Sequence, residues 1–91
     1  MEKERRTELK QMVKQAYSGE NPDQEIQAVV ETLPRRYREV ILDKIVDENK
    51  WSELEEIYYY SERRLRELLN EGLEELDRRL KSTGKIHSDT D

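Results

Sequence analysis

The residues best suited to chemistry in this sequence are three arginines within four positions, Arg63, Arg64 and Arg66, which follow Ser61. A planar guanidinium group donates paired hydrogen bonds to phosphate oxygens or to the edge of a guanine base. Two interpretations are open, because alternating charge is also common on exposed helices: a surface that binds nucleic acid, or a solvated helix face on which opposite charges balance. The acidic residues that would balance the arginines are Glu62, Glu67 and Glu71.

Catalytic and metal-binding chemistry is not indicated by the sequence. The chain has no cysteine, which excludes disulfides and zinc–thiolate sites. Its single histidine, His87, lies in a tail without apolar periodicity. Carboxylates occur along the whole chain, so no pair of them marks an acid–base site with convergent partners. We therefore expect no enzyme activity, no cofactor and no metal site.

The overall composition predicts a single small all-helical domain. The 91 residues are 43% charged and only 33% hydrophobic, which is typical of disorder unless the apolar residues are regularly spaced. Here they recur at helical intervals. No apolar run reaches the length of a membrane span or a signal peptide, and the absence of cysteine fits a reducing cytoplasm. Because the net charge is −5, any surface that binds nucleic acid must be local.

Apolar periodicity and capping residues place five helical segments in the chain. We expect Gly19 to end the first helix in the left-handed conformation, and Asn21, followed by proline, to begin the second. Pro34 separates the second helix from the third, Ser52 caps a short fourth helix, and Ser61 caps a long fifth. The predicted ranges are about 4–17, 22–32, 34–46, 53–58 and 62–80, with a disordered tail at 81–91.

The segment from Leu33 to Leu76, LPRRYREVILDKIVDENKWSELEEIYYYSERRLRELLNEGLEEL, resembles region four of bacterial sigma factors. The shared pattern is a Leu-Pro start, an arginine-rich helix with paired aliphatics, a short helix and a serine-capped recognition helix. The Tyr-Tyr-Ser sequence before that helix is similar to phage late-transcription regulators of the RinA and ArpU type. The matching positions are Glu53-Leu54, Ile57, Ser61, Leu65 and Gly72-Leu73.

This resemblance implies a helix-turn-helix at 33–80, whose second helix enters the major groove of double-stranded DNA. Residues 1–32, which form the N-terminal helical pair predicted from periodicity, lie outside the resemblance. The implied function is a phage-encoded transcription regulator in the cytoplasm of a bacterial host. Ser61 would cap the reading helix, Arg63, Arg66 and Asn70 would reach base edges, and Arg64 would hold phosphate. Three further arginines would join Arg64 on the phosphate backbone: Arg35, Arg36 and Arg38.

Two positions depart from the family pattern. Glu55 stands where alanine is usual, at the point where the two helices of the motif meet closely. Tyr59 stands in the turn, where glycine or another residue tolerant of positive φ is usual. A bulky residue is strained at positive φ, so we expect a reshaped turn. Of the three consecutive tyrosines, Tyr59 is expected to be the exposed one, and Trp51 is expected in the core.

A protein-binding module is the rival function. A small acidic protein with this fold could bind and block RNA polymerase, a sigma factor or a host defence protein. The two functions differ in the charge of the fifth helix, because a positive patch favours DNA and a patch neutralised by Glu62, Glu67 and Glu71 favours a protein.

The leucines of the fifth helix raise a separate question about assembly. Leu73, Leu76 and Leu80 continue a coiled-coil spacing that starts at Leu69. This seam packs either against the first helix of the same chain or against a second copy in a homodimer.

Overall fold

The prediction of an all-helical protein is confirmed for residues 2–82, the part of the chain that the computed structural model describes; there it contains five α-helices and no strand. A π-helical turn at Leu42–Val46 continues the third helix. Lys81 and Ser82, predicted as tail, belong to the last helix, and the rest of the predicted tail lies outside the described residues. The helices are α1 (Lys3–Ala16), α2 (Gln24–Glu31), α3 (Arg35–Ile41), α4 (Trp51–Tyr58) and α5 (Glu62–Ser82).

The first two helix boundaries correct the sequence prediction. α1 ends at Ala16, and Gly19 does not adopt the left-handed conformation expected of a glycine stop. α2 is capped by Asp23 rather than by Asn21, because the Asp23 carboxylate accepts hydrogen bonds from the backbone N–H groups of Glu25 and Ile26, at 3.0 and 3.2 Å. A carboxylate is a stronger acceptor than the neutral Asn amide at the positive end of a helix.

The predicted end of α2, before α3, is confirmed, whereas the predicted start of α4 is wrong. α2 ends at Glu31, with Thr32 as its C-cap, before the proline at position 34, as predicted. α4 begins at Trp51, so Ser52 lies inside the helix and is not its cap. Instead, the side chain of Glu53 accepts a 2.7 Å hydrogen bond from the backbone N–H of Lys50.

α5 lies at the centre of the domain, and each of the other four α-helices packs against it. One continuous hydrophobic cluster joins the N-terminal helical pair to the C-terminal helices. The coiled-coil seam belongs to this core, because Leu73, Leu76 and Leu80 are completely buried within a single chain. A dimer contact through these leucines would first require the covering helices to move away. The buried residues of α5 are Leu65, Leu68, Leu69, Gly72, Leu73, Leu76 and Leu80.

The closest approach of α3 to α5 occurs at Gly72. A Cβ atom added there would lie 3.0 Å from both the Ile41 Cδ1 atom and the Tyr37 Cβ atom. Such a distance is below ordinary van der Waals contact between carbon atoms. The absence of a side chain at this position therefore sets how closely α3, which carries Arg35 and Arg36, lies against α5.

Two ion pairs fix the position of α1. Near its start, the Arg5 guanidinium donates to the Asp77 carboxylate of α5 from Nε at 3.0 Å and from Nη2 at 2.5 Å. Burial acts to raise the pKa of Asp77, but hydrogen bonds from Arg5 and Lys81 outweigh it and hold that pKa below its usual value. Near the end of α1, Lys14 pairs with Glu48 at 2.8 Å. The first pair joins the start of α1 to α5, and the second joins its end to the loop before α4.

Candidate nucleic-acid interface

α4 and α5 are joined by a three-residue turn, Tyr59–Ser61. Tyr59 is the C-cap of α4 and its backbone N–H donates to the Glu55 carbonyl oxygen at 2.9 Å. The Ser61 hydroxyl oxygen accepts a 3.2 Å hydrogen bond from the backbone N–H of Arg64. Ser61 therefore caps α5, as the sequence predicted.

The strain expected of a bulky residue in this turn is present at Tyr59. Tyr59 itself adopts the left-handed conformation, with φ 60° and ψ 32°, which glycine adopts more easily. Its side chain is 90% exposed, as predicted, and so meets no obstacle beyond its own backbone. The turn thus retains a residue whose conformation costs roughly 1–2 kcal/mol.

Tyr59→Gly is expected to stabilise the protein by about 0.5–1 kcal/mol, because glycine removes the left-handed strain but adds conformational entropy to the unfolded chain. The free energy of unfolding, measured by urea titration, tests this expectation. Tyr60→Gly is the matched control, since Tyr60 has no positive φ and should lose stability. If both variants lose stability equally, Tyr59 is not strained.

Glu55, the other departure from the family pattern, connects the two helices. Its side chain is half-buried at the junction, and Oε2 accepts a 2.8 Å hydrogen bond from the backbone N–H of Glu62, the first residue of α5. A carboxylate at this end of a helix is also favoured by the helix dipole. Glu55 and Ser61 therefore satisfy two backbone donors of α5 from opposite sides of the turn.

The three arginines in the first half of α5 are all paired with glutamates of the same helix. Arg66 lies 2.6 Å from Glu62, and Glu67 lies 3.2 Å from Arg64 and 3.7 Å from Arg63. All three guanidinium groups remain accessible, and the Arg63 side chain is 90% exposed. Exposed pairs of this kind contribute only about 0–1 kcal/mol, so exchanging a glutamate for another anion costs little.

Arg63, Arg64 and Arg66 do not form one patch, because they point in three directions. Arg63 points away from the domain. Arg64 lies on the side of α5 that faces α3: it is 3.9 Å from Glu71 of α5, which in turn accepts a 3.2 Å hydrogen bond from the hydroxyl of Tyr37 on α3. Arg66 borders a groove shared with α1, and its guanidinium lies 5.0 Å from the centre of the Trp51 ring at the start of α4.

The remaining predicted residues also lie on different sides of α5. Asn70 borders a groove between α5 and α1. Arg35 pairs with Glu39 at 2.6 Å, and Arg36 stacks on the Tyr37 ring at 4.5 Å, both at the start of α3. Arg38 donates a 3.1 Å hydrogen bond to the Glu31 carbonyl oxygen, at the C-terminus of α2.

Sequence reasoning missed a row of basic residues on α1. Lys3, Arg6, Lys10 and Lys14 follow one another at intervals of three and four residues, which places them on one face of the helix. They border the groove between α1 and α5. The spacing can be read from the sequence, but the apolar residues of α1 indicate only which face is buried. They do not show which helix lies beside the basic face.

Trp51 lies at the base of this groove rather than in the core proper. It is half-buried, with the Lys44 Nζ atom 4.6 Å from the ring centre on one side and the Arg66 guanidinium on another. Cations are attracted to the face of an indole ring. The Trp51 ring therefore holds Lys44 of the π-helical turn and Arg66 of α5 next to the basic residues of α1.

The π-helical turn at Leu42–Val46 positions two side chains near this site. The Asp47 N–H reaches back to the Leu42 carbonyl oxygen at 3.0 Å, and Lys44 Nζ donates to the Asn49 carbonyl oxygen at 2.9 Å. On the other side of the same turn, Asp43 accepts a hydrogen bond from the Tyr58 hydroxyl. Burial, together with that bond, raises the pKa of Tyr58 well above its usual value.

Two kinds of site are absent from residues 2–82. No cluster of three or more His, Cys, Asp or Glu side chains there is arranged to hold a metal ion. None of the helices in that range combines the length and the apolar character that crossing a membrane requires.

No protein-family model, no curated protein and no solved structure matches the chain.

Proposed function

We propose that this protein is a DNA-binding transcription regulator that places the first half of α5 in the major groove. The observation that carries this proposal is the arrangement of α4, the three-residue turn and the Ser61-capped α5, with the outer face of α5 open to solvent around Arg63. An α-helix with its side chains is about 10–12 Å across, and the major groove is about 12 Å wide. α4 and α5 would then act as a helix-turn-helix.

The distribution of basic groups around α5 supports this docking. Arg63, at the centre of the exposed face, would reach a base edge. Arg64 and Arg36 lie on the flank towards α3, and Arg66 and Asn70 lie on the flank towards α1. A helix in the major groove has one phosphate backbone on each flank, so cations on both sides meet both strands.

The net charge of −5 does not oppose a local contact of this kind. Salt limits the reach of exposed charges to roughly 8 Å at physiological ionic strength. Acidic residues elsewhere on the domain are therefore largely screened from a duplex held against α5. The glutamates on α5 itself are not screened in this way. Each of them must separate from its arginine when a phosphate or a base takes the place of that glutamate.

A protein partner is the second candidate, and two observations favour it. The arginines of α5 are balanced by neighbouring glutamates. The largest exposed apolar side chains, Ile57, Tyr59 and Tyr60, all lie at the end of α4 and in the turn. Such residues are enriched where proteins dock. RNA polymerase, a sigma factor or a host defence protein would be the partner that this surface binds and inhibits.

Arg63→Ala tests the reading role of α5. If Arg63 donates two hydrogen bonds to a guanine, its loss is expected to weaken specific binding by about 1–3 kcal/mol and to relax preference at one base position. The measurement is selection from a random duplex pool, followed by titration of selected and unselected duplexes.

Arg78→Ala is the matched control for this experiment. It removes one equally charged, exposed side chain that pairs with Glu75 further along the same helix, and it should leave the sequence preference unchanged. If the wild-type protein enriches no sequence and binds duplex DNA no better than an unrelated acidic protein, DNA reading is rejected and the protein-binding candidate replaces it.

A further inference from the structure

We propose that the groove between α1 and the first half of α5 binds the sugar–phosphate backbone of the duplex beside the α5 site. This inference rests on the proposed function and extends it, because it assigns α1 to the DNA contact. The basic row that this inference adds to the contact lies on α1, outside the proposed helix-turn-helix of α4 and α5.

The lining of the groove is strongly basic in a chain whose net charge is negative. Glu48 is the single acidic side chain among the described residues that line it, and Glu48 already pairs with Lys14. Glu62, which pairs with Arg66, lies outside the lining. The basic residues that line the groove are Lys3, Arg6, Lys10, Lys14, Lys44 and Arg66.

The basic row on α1 has the length and the regularity of a backbone contact. From Lys3 to Lys14 it extends about 16 Å along the helix, and each DNA strand carries one phosphate per 3.4 Å of helix axis. The row is therefore long enough to contact several phosphates of one strand. The acidic residues of α1 lie on another flank of the helix, where Glu8 pairs with Arg5 at 2.9 Å.

The row on α1 and the flank of α5 that carries Arg66 and Asn70 border the same groove. Arg66 and Asn70 form one rim, and Lys3, Arg6 and Lys10 form the other. A duplex whose major groove receives α5 presents a phosphate strand along the flank of that helix. On the side of Arg66 and Asn70, that strand would lie over the groove and within reach of the basic row on α1.

The chemistry of the groove favours phosphate over an acidic protein. Protein interfaces concentrate their binding energy in aromatic anchors and the pockets that accept them. Among the described residues that line this groove, Trp51 is the single aromatic one. It is half-buried beneath Lys44 and Arg66, so it supports cations and does not project as an anchor. Long basic side chains along a regular row suit an evenly charged polymer.

The experiment compares two double variants that remove the same charge. Lys3→Gln/Lys10→Gln removes two exposed lysines from the rim, and Arg78→Gln/Lys81→Gln removes two exposed bases from the far end of α5. The carboxylates released in the control, Glu75 and Asp77, keep Arg79 and Arg5 as partners. Circular dichroism verifies that both variants are folded.

Duplex DNA is titrated at several salt concentrations, with the fluorescence of Trp51, the single tryptophan, as one readout. Lys3→Gln/Lys10→Gln is expected to bind at least tenfold more weakly than wild type near 0.1 M salt. The slope of log affinity against log salt should fall by about two units, which corresponds to about one unit per lost phosphate contact. Trp51 fluorescence should change when wild type binds, and the control should behave as wild type.

The outcomes separate this inference from the proposed function. If wild type prefers certain sequences and Arg63→Ala relaxes that preference, but both double variants bind alike, the groove is not a DNA contact while the reading role of α5 stands. If binding depends on Lys3 and Lys10 but shows no sequence preference, the groove is supported and the reading role fails. If polyglutamate binds as tightly as DNA, the preference for phosphate is overturned. If wild type does not bind duplex DNA, both proposals are rejected.

Discussion

Leu76→Glu is expected to unfold this protein. The Leu76 side chain is completely buried near the middle of α5, in the cluster that joins all five helices. An unpaired carboxylate there costs several kcal/mol in addition to the lost apolar contacts. Small domains have a total stability of only about 5–15 kcal/mol. Far-ultraviolet circular dichroism should show a large loss of helix, and sedimentation should show an expanded chain.

Ile57→Glu is the matched control, because the Ile57 side chain is 56% exposed. The same acidic group at that position should change the free energy of unfolding by about 0.5 kcal/mol or less. The homodimer alternative makes the opposite prediction for Leu76→Glu: a folded species of half the wild-type mass. That result would mean that α1 and α2 leave α5 in solution and that the three leucines form a contact between chains.

The features that sequence reasoning predicted correctly depend on neighbours along the chain. The buried leucines of α5 follow from a repeat of three and four residues. The end of α2 at Glu31, with Thr32 as its C-cap, follows from the restriction that Pro34 places on the residue before it. Ser61 as a cap follows from its position before a long periodic segment. Each of these is a property of a short segment, so no tertiary contact is needed to predict it.

The features that were missed depend on groups distant in the chain or on competition between similar candidates. Asn21 and Asp23 are both suitable caps, and the sequence does not say which one a helix will use. Trp51 was placed in the core, but its surroundings are set by Lys44 and by Arg66. The π-helical turn that brings Lys44 to the indole ring has no local sequence signal.

The division of the arginines among three directions also required the fold. A stretch of sequence shows that Arg63, Arg64 and Arg66 are close along the chain, but not which helices lie on either side of them. α3 on one flank and α1 on the other decide what Arg64 and Arg66 face. The sequence likewise does not show that the basic row on α1 lies beside Arg66, because the fold brings the two together.

Gly72→Val is expected to reduce the free energy of unfolding by about 2–4 kcal/mol. The Cβ atom alone would lie 3.0 Å from Ile41 Cδ1 and Tyr37 Cβ, and valine adds two methyl groups in the same crowded space. Overpacking of this kind typically costs 1–3 kcal/mol or somewhat more. Gly72→Ala should have a much smaller effect, because a gain in helix propensity of about 1 kcal/mol offsets the tight contact. Urea titration followed by circular dichroism measures all three proteins.

Gly19→Val is the control, since no atom lies within 4 Å of a Cβ at Gly19 and its φ is not left-handed. Its stability should differ from wild type by about 0.5 kcal/mol or less.

The Gly72 variant also tests the proposed docking, because displacing α3 moves Arg35 and Arg36 relative to Arg63. Gly72→Val should therefore bind duplex DNA more weakly even under conditions where it is fully folded. If Gly72→Val is as stable as wild type, α3 does not pack against α5 as closely as described, and the spacing between these arginines is not fixed by Gly72.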